Sequence, residues 1–270
     1  MMTPPLDAAL TRDVLVHLRV VPAALTTDLL DELVTAYTRV VPWESASRIA
    51  RRAETAAIAD CPRWPEEFWR QTFHYGTGGT CFESNYAFFS LLRALGYNGY
   101  LTINNMGETI GCHTAMVILL DGQRWLVDVG MPIYLPLPFG PASAEPRGTP
   151  FQTYTVRPDG LGRYQVERAP HPHPNCFTLL DSPIPDATYR AATTADYEPT
   201  GYFNDRVIVT KVNGEEIWRF NGVIPPLMES FVYGGRADQP LAGDYANAVA
   251  ARFGIDAAIV RTALRVTGVE

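Results

Sequence analysis

The chain has 270 residues and a net charge of −7, and 47% of its residues are apolar. That length buries a large core in one large domain or two to three small ones. The acidic balance gives no electrostatic reason to bind nucleic acid or an anionic membrane.

The start, MMTPPLDAALTRDVL, is polar and carries prolines, unlike a signal peptide, and no apolar run nears the ~20 residues of a membrane helix. Up to about Leu95 the pattern is helical. Thr27-Asp28 reads as a helix start, and Leu29, Leu30, Leu33, Val34 and Tyr37 form a stripe that Pro42 ends. A second helix is predicted from Pro65, with Phe68, Trp69 and Phe73 on one side. From about Tyr100 short β-branched and aromatic runs alternate with turn signals: YLTINN, HTAMVILL, QRWLVDVG, FQTYTV and RYQVER. Pro132 to Pro150 reads as a loop, and residues 170–200 as irregular. A hairpin follows in DRVIVTKVNGEEIWRFNG with Asn213-Gly214 as its turn. Asp244 to Phe253 and Asp256 to Val266 are predicted helical. Helices, then strands, then a mixed tail make the fold class α+β.

The stretch GGTCFESN (Gly78–Asn85) places a cysteine at a helix start. Thr80 and Glu83 fit a capping box. Phe82, Tyr86, Phe89 and Leu92, with Phe88, Leu91 and Leu95, make both sides of the helix apolar, and Gly96 supplies its C-terminal cap. Cys81 thus meets unpaired backbone N–H groups and the positive end of the helix dipole, which favour thiolate over thiol. Gly78 and Gly79 leave room for a substrate. A small buried cysteine packing like alanine is the other reading of this stretch.

A thiolate nucleophile needs a base that is itself oriented by a third group. His113 is expected to open the strand HTAMVILL, and Asp121-Gly122 to turn the chain back into QRWLVDVG. In that register Leu120 faces Gln123 and Ala115 faces Asp128. His113 and Asp128 then lie on one face as diagonal neighbours, roughly 7 Å apart at Cβ. A carboxylate buried in LVDVG needs a partner, and His113 is the one this geometry offers. A strand-end histidine in solvent and an aspartate starting a turn are the readings for each residue alone.

These residues resemble the arylamine N-acetyltransferase family, in a bacterial-type form. Its signatures read here as GGTCFESN, His113, DVG (Asp128–Gly130) and VPWES (Val41–Ser45). The resemblance is good from about residue 40 to 131 and looser afterwards. It implies a helical bundle over 1–95 carrying the nucleophile, a central antiparallel β-barrel over 96–198 carrying His and Asp, and an α/β lid over 199–270. This is the cysteine-protease and transglutaminase type of core. It further implies a Cys81–His113–Asp128 triad, acyl-coenzyme A as donor and an aromatic amine or hydrazine as acceptor, with no permanently bound cofactor. Three departures point to a specialised homologue. Thr77 stands where the family has arginine, so Glu44 must find another partner. Met131-Pro132 replaces Phe-Gly, and Trp43 and Ser45 replace Phe and Asn.

The chemistry expected is ping-pong: Cys81 takes the acyl group from a thioester, and an amine then attacks the acyl-cysteine while His113 removes its proton. Trp43, Met131 and Phe203 are expected as walls of the substrate pocket, although each also reads as an ordinary core residue. Four functions remain in view. They are an acetyltransferase using acetyl-coenzyme A, an amide synthase taking its acyl group from an acyl carrier protein or another thioester, a cysteine hydrolase, and an inactive homologue that only binds. No metal is expected: His171, His173 and Cys176 in HPHPNC have no second ligand cluster at the right spacing. Cys112 turns to the face opposite His113 and reads as packing. The four cysteines form no CxxC pair, so free thiols in a reducing cytoplasm are expected.

Overall fold

The computed structural model describes residues 3–131, 133–142 and 145–269. The chain opens with α1 (Ala8–Leu18), α2 (Thr27–Val40), a short strand β1 (Trp43–Glu44), α3 (Ala46–Glu54), α4 (Pro65–Tyr75) and α5 (Cys81–Leu95). Strands β2 (Asn98–Met106), β3 (Thr109–Leu120), β4 (Gln123–Val127), β5 (Leu137–Phe139), β6 (Arg147–Gly148), β7 (Thr153–Pro158), β8 (Arg163–Ala169) and β9 (Asn175–Leu180) follow. Helix α6 (Asp186–Ala195) leads to β10 (Ile208–Asn213), β11 (Glu216–Asn221), β12 (Leu227–Val232) and β13 (Gly235–Pro240), and α7 (Tyr245–Phe253) and α8 (Ala257–Val266) close the chain.

Local chemistry explains the elements that matter for the site. Helix α2 starts where Thr26 Oγ1 accepts the Leu29 N–H at 3.2 Å, and it buries the whole predicted stripe from Leu29 to Tyr37. Helix α5 is buried from Cys81 to Leu92 and stops at Gly96, whose φ of 100° suits glycine. An all-round apolar helix of this kind belongs at the centre of a core, and its aromatic side chains pack with α1, α2 and α4. Strands β3 and β4 join through Asp121 and Gly122, both at positive φ (52° and 74°), as a type I′ turn requires. Leu120 pairs with Gln123 and Met116 with Val127, which is the predicted register.

Two antiparallel sheets result. The larger has the order β5-β4-β3-β2-β9-β8-β7-β6 and curls into a nearly closed barrel around Val117, Leu126, Val166 and Phe177. The smaller, β1-β10-β11-β12-β13, packs one face on α3, α7 and α8. Strand β1 comes from the helical N-terminal part yet pairs with β10, Trp43 opposite Thr210. Among the described residues no helix is long and apolar enough to cross a membrane.

Several expectations are corrected. The segment predicted as a loop, 132–150, contains β5 and β6, and residues 170–200 contain β9 and α6. Strand β3 begins at Thr109, so His113 sits inside it and does not open it. Asn213 pairs with Glu216, so the hairpin turn is Gly214-Glu215, one residue later than read. Glycine with φ 64° at the first central position matches a type II′ turn. Pro132, one of the departures from the family pattern, lies outside the described residues.

Candidate active site

Cys81 is the first residue of α5, 7% exposed. The predicted capping box does not form. Thr80 makes no side-chain cap bond, and its hydroxyl accepts instead from Arg48 Nη1 at 3.3 Å. Glu83 is engaged elsewhere, by the backbone N–H of Arg63 at 2.7 Å and the Tyr197 hydroxyl at 2.7 Å. The first backbone bond of the helix runs from Ser84 N–H to Thr80 O. The N–H groups of Cys81, Phe82 and Glu83 precede that bond and therefore have no intrahelical acceptor.

His113 lies opposite Asn104 within the barrel sheet, 2% exposed, with its ring 4.6 Å from that of Phe177. Its Nε2 is 2.6 Å from Asp128 Oδ2. The Cys81 side chain is a close neighbour of the imidazole and helps to raise its pKa, while the Cys81 thiol donates to Cys112 O at 3.8 Å. Burial works against the charged imidazole. The Asp128 charge, its hydrogen bond and the neighbouring Cys81 outweigh it, so the pKa of His113 is pushed up to about 10.

Asp128 is fully buried immediately after β4, and each of its oxygens is committed. Oδ2 faces His113. Oδ1 accepts from Asn85 Nδ2 at 3.0 Å and from the N–H groups of Gly130 at 2.8 Å and Met131 at 3.0 Å. Asn85, one helical turn beyond Cys81 and thus on the same face, also donates to Thr114 O at 2.6 Å and accepts from Val129 N–H at 2.9 Å. Thr114 returns a bond from its hydroxyl to Cys81 O at 2.9 Å. Helix α5, strand β3 and the turn after β4 are thereby tied at one point. Gly130 lets them approach: a Cβ there would stand 2.4 Å from Cys81 Cα and 2.6 Å from Asn85 Nδ2.

A second buried layer supports the glycine pair. Glu44 accepts from Ser47 N–H at 2.8 Å and Gly78 N–H at 3.2 Å, and from the Ser47 hydroxyl. These are the partners it needs where Thr77 offers no charge. A cation nevertheless reaches that place. Arg63, fully buried, donates from Nη2 to Gly78 O at 2.8 Å and to Glu83 Oε2 at 2.5 Å, and from Nη1 to Thr77 Oγ1 at 3.5 Å. Asn85 was visible in the sequence as part of GGTCFESN. Arg63 was not, because its segment, CPRWP, carries no helical or strand period that announces burial.

Of the three residues expected in the pocket wall, Trp43 and Phe203 meet, their rings 4.9 Å apart and edge to face. Trp43 also bridges to Gly79, two residues before the thiol. Met131 packs against the barrel core with its N–H turned to Asp128. Cys112 is half-buried with its sulfur on Thr109 O at 3.4 Å. Burial raises the thiol pKa of Cys61, Cys112 and Cys176. His171 and His173 bond each other locally, Nδ1 to the His173 backbone. Among the described residues no group of three or more His, Cys, Asp or Glu could hold a metal.

A nucleophile-bearing helix start, an ion-paired imidazole and an enclosed carboxylate can together carry an acyl group on sulfur. The comparisons agree in kind. A family model described as N-acetyltransferase matches residues 26–221. The arylamine N-acetyltransferase of Mycobacterium marinum superposes with a TM-score of 0.82 at 20% identity, covering 96% of this chain and 99% of that one. The same enzyme in complex with CoA gives 0.81 at 18% identity, covering 96% and 99%. An arylamine N-acetyltransferase from Bacillus cereus, described as having a unique Cys-His-Glu catalytic triad, gives 0.75 at 17% identity, covering 93% and 100%. No curated protein sequence matches.

Proposed function

The chain belongs to the arylamine N-acetyltransferase family, and from that premise we propose that it acetylates an aromatic amine through an acyl-enzyme on Cys81, with His113 as acid and base and Asp128 as the group that orients it. It is an N-acetyltransferase, with acetyl-CoA as co-substrate in this family. The observation that carries the assignment of roles is His113 held at 2.6 Å by Asp128, with Cys81 as its neighbour at the start of α5.

The sulfur, relieved of its proton by His113, attacks the thioester carbonyl. The C–S bond to coenzyme A breaks, and the departing thiolate takes the proton from the imidazolium. The amine then attacks the acyl-cysteine carbonyl and His113 takes its proton. Cys81 leaves as thiolate and the acyl group is now on nitrogen. Asp128 fixes the ring orientation and stabilises the imidazolium without itself taking the proton. Backbone N–H groups of the first turn of α5, which have no intrahelical acceptor, would stabilise the oxyanion of a carbonyl bound at Cys81. The amine must be neutral to attack, which suits aryl amines, since these are weak bases. The Trp43–Phe203 pair offers a flat ring an aromatic wall beside the nucleophile turn. The chemistry needs a reduced thiol, and all four cysteines are free, which supports the cytoplasm as the place of work.

Intact-mass measurement after mixing with acetyl-CoA tests this reading. The expected result is one added acetyl group that maps to Cys81, is lost on adding an arylamine, and is absent in Cys81→Ser. Loading only by a longer acyl thioester or by an acyl carrier protein would transfer the chain to amide synthesis. Rapid loss of the acyl group in buffer alone would make it a hydrolase. Alkylation of Cys81 no faster than of the three other thiols would indicate an inactive binding homologue.

A further inference from the structure

Arg48, on α3, is fully buried, and all of its guanidinium nitrogens are in use. Its Nε donates to Asn204 Oδ1 at 2.8 Å. Its Nη1 reaches Asp196 Oδ2 at 2.7 Å and Thr80 Oγ1 at 3.3 Å, and its Nη2 donates to Asp196 O. The guanidinium lies 4.2 Å over the Tyr197 ring, whose hydroxyl bonds Glu83. One side chain thus ties the residue before the nucleophile to the segment 196–204.

That segment is wound around a single amide. Asn204 Nδ2 donates to the carbonyls of Asp196, Glu198 and Gly201 at 3.3, 2.9 and 3.3 Å. Gly201 is packed so closely that a Cβ would sit 1.7 Å from Asp196 O. The product of this winding is Phe203, held at φ 59° with its ring edge-on to Trp43. A non-glycine residue in the left-handed region needs its surroundings to hold it there. Here these are the Arg48 fork on one side and Trp43 on the other. A buried arginine–aspartate pair is a poor source of stability against an apolar alternative, so its worth is sought in positioning.

We infer that Arg48 is a positioning residue for the acceptor. By clamping 196–204 to Thr80 it sets Phe203 against Trp43 at a fixed distance from Cys81, and so builds the wall on which a flat aromatic amine rests. This rests on the acyl-transfer reading of the site. It predicts a separation of the two half-reactions, because the acyl donor does not need that wall and the amine does.

The test uses the full chain. Arg48→Met combined with Asp196→Asn removes the pair without leaving a buried charge unmatched. Arg48→Lys keeps the charge and loses the planar fork. Intact mass times acyl-enzyme formation from acetyl-CoA and its discharge by a concentration series of aniline, and thermal unfolding reports folding. The kcat/KM of discharge should fall tenfold or more through KM, formation should fall less than threefold, and Arg48→Lys should lie between. Equal loss in both half-reactions, or unchanged discharge by folded variants, overturns the inference. If the double variant does not fold, Asn204→Ala loosens the same segment from its other side and should give the same split; an unchanged KM there overturns it as well. If the parent takes no acyl group, the acyl-transfer reading fails on its own, and calorimetric titration with aniline reads the clamp. Tenfold weaker binding to Asn204→Ala supports the clamp, and equal binding sinks it.

Discussion

Asp128 has no spare lone pair in the direction of its partners. One oxygen serves His113 and the other serves Asn85 and two backbone N–H groups. An amide in its place has a single acceptor oxygen, so Asp128→Asn must turn an NH2 either toward Nε2 or toward three donors. Turnover is expected to fall on the order of 10³-fold or more, as when a triad carboxylate is replaced by an amide, while Cys81 remains accessible to alkylation. The His113 imidazole itself gives the spectroscopic check. In the parent its ring nitrogens should both carry protons at neutral pH in a nitrogen–proton correlation spectrum and titrate near 10; in Asp128→Asn that midpoint should drop. A neutral ring at pH 7 in the parent would contradict the assigned ion pair. At this scale the sequence was informative where the backbone period was regular. The His113–Asp128 diagonal followed from counting along one hairpin with a readable turn. Arg48 and Arg63 were illegible, because a buried arginine is recognised by its partners, and these sit up to 156 residues away in the chain.

Helix α5 and the turn after β4 meet through Gly130, and the meeting is an element-scale property. Gly130→Ala places a methyl group 2.4 Å from Cys81 Cα and 2.6 Å from Cys81 Cβ, distances that require the helix start to move. Overpacking of this kind costs about 1–3 kcal/mol. Chemical denaturation should show that loss, and alkylation of Cys81 should slow further than the stability change explains, since the thiol is displaced from His113. Wild-type alkylation at full stability would mean that the turn yields instead of the helix. Elements with a clear period, such as α2, α4 and α5, were legible, as was β3–β4. Strand β9 and helix α6 were not: prolines on both sides of NCFTLL and DATYRAATTA mimic loop punctuation, and only Tyr189 and Thr193 of α6 are buried. Strands β5 and β6, three and two residues long, are too short to show alternation.

Across the whole molecule, buried ionisable groups of opposite sign should bend the stability curve at both ends of the pH scale. Arg63 and Glu83 pair at 2.5 Å with no side-chain exposure. Burial pushes the Glu83 carboxyl up, but the Arg63 charge, its hydrogen bonds and that of Tyr197 outweigh this and hold the pKa below the ordinary 4.5. A lowered acid contributes stability above its unfolded pKa and loses it as pH falls through the folded one. His113 has the reverse sign: a raised base contributes fully below 6.5 and loses that contribution as pH rises toward about 10. Asp196, raised by burial against the pull of Arg48, works against Glu83 on the acid side, so the two limbs are best read as differences from variants. Arg63→Met should cost about 3–5 kcal/mol at neutral pH, because it strands a buried carboxylate. Glu83→Leu combined with Arg63→Met removes the acid-sensitive pair. Unfolding by urea across a pH series should then show a parent-minus-double difference that is flat above 4.5 and drifts against the parent below it. The parent-minus-His113→Gln difference should be flat below 6.5 and decline toward 10. Two parallel profiles, with neither difference depending on pH, would mean that these buried charges titrate alike in the folded and unfolded chain. The ionic layer beneath the candidate site would then contribute shape without electrostatic stability.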